Sequence, residues 1–185
     1  CFVLSKSAAA NPDFKNSEFS KSIEEVVAKM SQKNVIKTFN LAVMNLHYCT
    51  GCWSCWWKTP GLCAIKDDAE LIFRSVVASD LLVFASPLIA GFTSAELKKI
   101  TDRLVVLLHP YIQLVDGECH HRKRYPKYPD IGVLLSKEPD TDDEDLEIVN
   151  DIYDRLALNF HSKKRFTMFL EPQNLNQTDY ATFNI

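Results

Sequence analysis

Glycine is scarce in this chain, five residues in 185, and none precedes Gly51. Phosphate loops of the dinucleotide or P-loop kind need glycines so that backbone amides can approach an anion unobstructed, and that device is excluded from the segment before Gly51. Long apolar runs are also missing: none approaches the roughly twenty residues that span a bilayer, and no basic-then-apolar leader is present. The expectation is a soluble, cytoplasmic protein with no membrane partner. A strong charge of one sign is lacking as well. The net charge is −3 and the basic residues are scattered outside one cluster, which argues against a nucleic-acid partner. The chain opens on Cys1 within an apolar run rather than on methionine, and this reads as a natural start that was trimmed or is not represented.

What the chain has in excess is concentrated between Cys49 and Cys63. Four of the six cysteines, all three tryptophans and two of the five glycines fall in this stretch, Cys49-Thr50-Gly51-Cys52-Trp53-Ser54-Cys55-Trp56-Trp57-Lys58-Thr59-Pro60-Gly61-Leu62-Cys63. Thiolates bind soft metals and carry electron chemistry, and gaps of two residues let neighbouring sulfurs turn onto one centre. Two successive gaps of two stand nearer to the iron–sulfur pattern than to the paired knuckles of structural zinc. Pro60 and Gly61 supply a turn that brings Cys63 back. Three readings stay open: a [4Fe-4S] cluster on Cys49, Cys52, Cys55 and Cys63, a zinc site, or free thiols in a tight loop. Clustered thiols in a cytoplasmic chain argue against a disulfide framework.

A length of 185 residues suits one domain, and the apolar pattern organises residues 1–172, leaving 173–185 as a polar tail. Cys1 to Leu4 reads as a strand, followed by a polar loop and a helix with Ile23, Val26, Val27 and Met30 at helical spacing, capped by Ser17 or Ser20. Further strands are expected at Asn34–Leu41, Asp80–Ala85, Ile131–Leu135 and Phe166–Leu170. Helices are expected to open at Lys66-Asp67-Asp68, with Leu71, Ile72, Val76 and Val77 inward; at Thr93 or Ser94, with Leu97, Ile100, Leu104, Val105 and Leu108 inward; and at the acidic run Asp140–Glu147, with Leu146, Val149, Ile152, Tyr153 and Leu156 inward. Acids at a first turn complement the helix dipole, and the run lacks the spacing and glycine of an EF-hand. The basic cluster His120-His121-Arg122-Lys123-Arg124-Tyr125 reads as a solvated loop, with Arg122, Lys123 and Arg124 reading an NADP phosphate as the alternative.

Strands alternating with helices imply an α/β fold of three layers with a five-stranded parallel sheet, and ligands belong at the carboxyl ends of its strands. The loops after Ser5, before Cys49 and after Ser86 are expected to meet at that edge. In the first of them Ser5, Lys6, Ser7, Asn16 and Ser17 are the available donors to a phosphate.

The segment from Cys49-Thr50-Gly51-Cys52 through Gly61-Leu62-Cys63-Ala64-Ile65-Lys66-Asp67-Asp68, with Ala85-Ser86-Pro87 to Gly91, Ser94-Ala95-Glu96-Leu97-Lys98 and Asp102-Arg103, resembles the NADPH-dependent FMN reductase family. Its cysteine quartet resembles that of the iron–sulfur flavoproteins within that family. The resemblance implies a flavodoxin-like fold, bound FMN, NAD(P)H as co-substrate, and a homodimer or homotetramer with flavin sites near the subunit interface. It also implies that Ser5, Lys6, Ser7 and Ser17 hold the FMN phosphate, and that Ser86, Pro87, Leu88, Ile89, Gly91 and Phe92 lie along the isoalloxazine ring. The family's first loop commonly reads Gly-Ser-Pro-Arg and an aromatic often stands at the position of Leu88; this chain differs at both.

Two functions follow from different classes. One is an FMN-dependent NAD(P)H oxidoreductase passing electrons to a quinone, a flavin or an iron–sulfur acceptor. The other, favoured by the glycine-free first loop, is a flavodoxin-like binding or scaffold protein that has lost its cofactor. Flavin chemistry obliges no particular acid or base, so no catalytic residue is named. Trp53, Trp56 and Trp57 suit either stacking on a flat acceptor or burial in a subunit interface.

Overall fold

The computed structural model describes residues 2–6, 18–115 and 117–170. Five parallel strands form the sheet: β1 (Phe2–Lys6), β2 (Ile36–Asn40), β3 (Leu81–Ile89), β7 (Asp130–Ser136) and β8 (Lys164–Phe169), in the order β2-β1-β3-β7-β8. This is the flavodoxin-like order, with the reversal of direction, and hence the ligand crevice, between β1 and β3. A short strand β4 (Phe92–Thr93) folds back antiparallel on the end of β3.

The continuous apolar run of β3 is explained by burial on both sides. Leu82 and Phe84 join one core, Leu81, Val83 and Ala85 the other, as a period of two requires. Helix α1 (Glu18–Met30) covers the second core with Phe19, Ile23, Val26 and Met30. Three further helices cover the first: α3 (Ala69–Val77), α4 (Ala95–Arg103) and α5 (Asp143–Asn159), contributing among others Ile72, Phe73 and Val76; Leu97 and Ile100; and Val149, Tyr153 and Ala157. The acidic run opens α5 through a reciprocal capping box between Asp142 and Asp145.

Several expectations are corrected. The helix from Ser94 stops at Arg103; a 3₁₀ turn, Leu104–Leu107, follows, and Leu108 begins strand β5 (Leu108–Val115), which pairs antiparallel with β6 (Glu118–Lys123). The basic cluster is therefore part of a hairpin, not a loop. The α3 helix starts at Ala69, with Leu71 exposed and Phe73 buried in its place. On α5, Ile152 is exposed. The expected Cys1, the cap Ser17 and the tail beyond residue 172 lie outside the described residues. Among the described residues no helix is long and apolar enough to cross a membrane.

Candidate functional site

Two places gather the residues that the sequence singles out. The first is the switch point. Register sets Lys6, the last residue of β1, beside Ala85 of β3 on one side and Asn40 of β2 on the other, so β1 ends four residues before β3 does at Ile89. Ser5 and Lys6 thus stand at the carboxyl edge, whereas Ser7 and Ser17 lie outside the described residues. Past Ala85 the side chains divide. Ser86, Pro87 and Leu88 are buried, while Ile89 is 43% exposed and Gly91 and Phe92 are half-buried. The Ser86 hydroxyl donates to the Pro87 carbonyl at 2.7 Å and accepts from the Ser94 amide at 2.9 Å; it fastens the strand end to the start of α4, where Ser94 caps the helix. Ala90 and Gly91, at φ 50° and 73°, join the paired residues Ile89 and Phe92. Two positive φ values in a two-residue connection mark a type I′ hairpin. Any Cβ on Gly91 would run into the Asp145 carboxylate of α5, so close approach as well as φ demands glycine there. The tip of this turn, Ile89 and Ala90, is exposed.

The second place is the cysteine loop. Its short helix α2 (Ser54–Trp57) is entered through Trp53 in the left-handed region at φ 59°. Lys58 and Thr59 return their amides to the Ser54 carbonyl at 3.0 and 2.8 Å, and Gly61, at φ 82°, donates to the Cys55 carbonyl at 3.0 Å. The Pro60–Gly61 turn brings Cys63 back, as its sequence predicts. Trp56 pins the loop to the body: its indole N–H is shared between the carbonyls of Val105 and Leu108 at 3.3 and 3.2 Å, and its ring packs on Trp53 and His121.

Cys49, Cys52, Cys55 and Cys63 all line one cavity of about 200 Å³, walled otherwise by Thr50, Gly51, Trp53, Trp56, Ala64, Ile65, Arg103, Val105 and Val106. None of Ser86 to Phe92 lines it. The five cysteines described are free thiols. Among the described residues no three His, Cys, Asp or Glu side chains converge as on a single metal ion. Cys49 and Cys52 are exposed and Cys55 and Cys63 half-buried, whereas the sulfurs of a structural zinc site all stand about 2.3 Å from one ion. Burial pushes the Cys55 thiol up, reinforced by the negative charge that Cys63, Cys49 and Cys52 bring when ionised. Hydrogen bonds from Ser54 pull Cys52 down. The donor set, four thiols lining one cavity, is of the soft type that iron–sulfur centres use.

The base of the loop is closed by an ion pair that sequence reasoning missed. Arg103, 2% exposed, grips Asp67 with both nitrogens of its fork, Nη1 to Oδ2 at 2.6 Å and Nη2 to Oδ1 at 3.0 Å. It also donates to the His47 carbonyl at 3.1 Å and to Cys63 Sγ at 3.4 Å. Asp67 in turn accepts from the amides of His47 and Ala69. Burial alone would raise its carboxyl, but the Arg103 guanidinium and these amides bring it down to about 2. The sequence marked Asp67 as a helix-dipole acid and Arg103 only as part of the Asp102-Arg103 pair within the resemblance; neither reading joined the two.

Residues 12–123 match the profile of a family described as NADPH-dependent FMN reductase. An iron-sulfur flavoprotein of Methanocaldococcus jannaschii is 32% identical over 82 residues, 44% of this chain and 42% of that protein. One of Archaeoglobus fulgidus is 31% identical over 74 residues, 40% of this chain and 33% of that protein. The matches thus span less than half the length of these curated relatives. Among solved structures, an FMN-dependent NADH-azoreductase from Bacillus anthracis, determined in complex with FMN, aligns with a TM-score of 0.64 at 14% identity, over 96% of this chain and 93% of that one. A protein of Streptococcus mutans UA159 aligns over the whole of both chains with a TM-score of 0.66 at 15% identity. Likeness at such identities establishes the flavodoxin-like fold.

Proposed function

Because this chain belongs to the NADPH-dependent FMN reductase family, we propose that it is an FMN-dependent NAD(P)H oxidoreductase in which Cys49, Cys52, Cys55 and Cys63 hold an iron–sulfur centre. The observation that carries the reading is the one cavity lined by all four thiols; the printed names of the two archaeal relatives support it. Bound FMN supplies hydride acceptance and one-electron release, and a cluster supplies a one-electron relay. The chain's own part is placement. Ser5 and Lys6, with Ser7 and Ser17, bind the flavin phosphate at the end of β1. Ile89, Gly91 and Phe92 carry the ring, while Ser86, Pro87 and Leu88 hold that turn in shape from beneath. Trp53 and Trp56 exclude water from the cysteine cavity, where a low dielectric strengthens every charge interaction. Free thiols agree with a reducing, cytoplasmic setting. The electron acceptor is a small molecule, a quinone or a second flavin, or another iron–sulfur centre.

The same reading makes the protein a homodimer or homotetramer. It is supported by Ile112 and Leu114, two residues apart on one face of β5 and 50% and 74% exposed.

A second reading, a scaffold without cofactor, is favoured by the glycine-free first segment and by the Asp145 carboxylate standing over Gly91. The deciding experiment is an anaerobic visible spectrum of purified protein with iron and acid-labile sulfide assayed on the same sample. Resolved flavin bands together with a broad brown shoulder and iron are expected. Flavin bands without iron would leave an FMN enzyme with free thiols. Protein that stays colourless after incubation with FMN and anaerobic reconstitution would leave the scaffold.

A further inference from the structure

The fork of Arg103 can be accounted for donor by donor. A guanidinium carries five N–H groups in a fixed plane. Nη1 gives its two to Asp67 and the His47 carbonyl, and Nη2 gives its two to Asp67 and Cys63 Sγ. The fifth, on Nε, is buried and finds no acceptor among the described residues. A buried donor on a permanent cation is among the costliest groups to leave unmet. Arg103 also lines the cysteine cavity, whose other walls among the described residues are apolar apart from Thr50 and the thiols.

Resting on the reading of the quartet as a cluster site, we propose that Arg103 is the positioning residue of that site: it aims Cys63 through an N–H···S bond and, as the one cation in the cavity wall among the described residues, sets the reduction potential of the centre held there. The unspent Nε–H suits an occupant rich in acceptor atoms, which sulfide and thiolate sulfur provide. Hydrogen bonds to cluster sulfurs and nearby positive charge favour the reduced, more negative state. Asp67 works against Arg103 electrostatically while holding its plane in place, so the two residues of one ion pair act on the potential with opposite sign. The couple concerned is a single electron, with no bond of the chain made or broken.

A clamp that merely held the loop shut would behave otherwise: loss of either partner would loosen it in the same sense. The test is a redox titration, followed by electron paramagnetic resonance, of anaerobically reconstituted full-length protein and its variants, with iron and sulfide counted on each sample. Arg103→Gln is expected to shift the one-electron equilibrium at least tenfold toward the oxidised form, about 59 mV for one electron. Asp67→Asn is expected to shift it toward the reduced form, and Arg103→Lys, which keeps the charge and loses the fork, to fall between wild type and Arg103→Gln. Should Arg103→Gln not fold because Asp67 is left alone, the double variant Asp67→Asn/Arg103→Gln, compared with Asp67→Asn, isolates the same charge and must show the same tenfold fall. Unshifted potentials in variants with full iron, or shifts of one sign for both partners, would overturn the role of Arg103 while leaving the cluster. Wild-type protein that takes up no iron would overturn the cluster and this role with it.

Discussion

At the scale of single residues, Asp67 decides more than any other acid. Its side chain is fully buried against a cation that is buried too, and removing one member of such a pair leaves the other uncompensated. Asp67→Ala should cost about 3–5 kcal/mol in chemical denaturation at neutral pH. Arg74→Ala, which breaks an exposed pair with Glu70 one helical turn away, should leave the denaturation midpoint in place. The pH dependence has a defined sign. The folded carboxyl at about 2 lies below the roughly 3.9 of an unfolded aspartate, so its contribution is complete above about pH 4 and disappears as the pH falls toward 2. Asp67→Asn should therefore be less stable than wild type at pH 7 yet lose less stability across that acid window; parallel acid limbs for the two proteins would refute the assignment. Nothing in the sequence around Asp67 announces this, because its partner stands 36 residues away and a charge on the inward face of a helix is visible only once the face is known.

At the scale of elements, the turn between β3 and β4 can be tested against a control within the same chain. Gly91→Ala meets both a left-handed backbone and the Asp145 carboxylate, and should destabilise by about 2–4 kcal/mol; Gly117→Ala has the same sign of φ with open space around it, and about 1 kcal/mol is expected. Equal losses of thermal stability would show that the contact with α5 carries no weight. The elements differ in how plainly they were written. Strands β3 and β7 were legible because burial on both faces leaves an unbroken apolar run, and α5 because its acids sit where the dipole wants them. The β5–β6 hairpin was not. Leu97, Ile100, Leu104 and Leu108 keep helical spacing straight through the point where the helix ends, and β6, reading Glu118-Cys119-His120-His121-Arg122-Lys123, has no apolar alternation to mark a strand. The cysteine motif showed the cavity's sulfur lining, whereas its far wall, Val105 and Val106, belongs to that misread junction.

At the scale of the whole molecule, the hairpin is where the proposed assembly can be tested. If Ile112 and Leu114 lie in a contact between copies, Ile112→Glu with Leu114→Glu should halve or quarter the mass seen by light scattering after gel filtration and leave the iron content unchanged; an unaltered mass would place the interface elsewhere. The layers also divide unevenly, with α1 on one face of the sheet and α3, α4 and α5 on the other among the described residues. One further property is global in readout but local in origin. The three indoles of the chain are Trp53, Trp56 and Trp57, all within the cysteine loop, with Trp53 and Trp56 in the cavity wall. The ultraviolet emission of this protein is thus a beacon planted at a single address. A coloured guest in that cavity would drain it by energy transfer, and the dimming and return of that light would time the arrival and departure of the guest without any label being added.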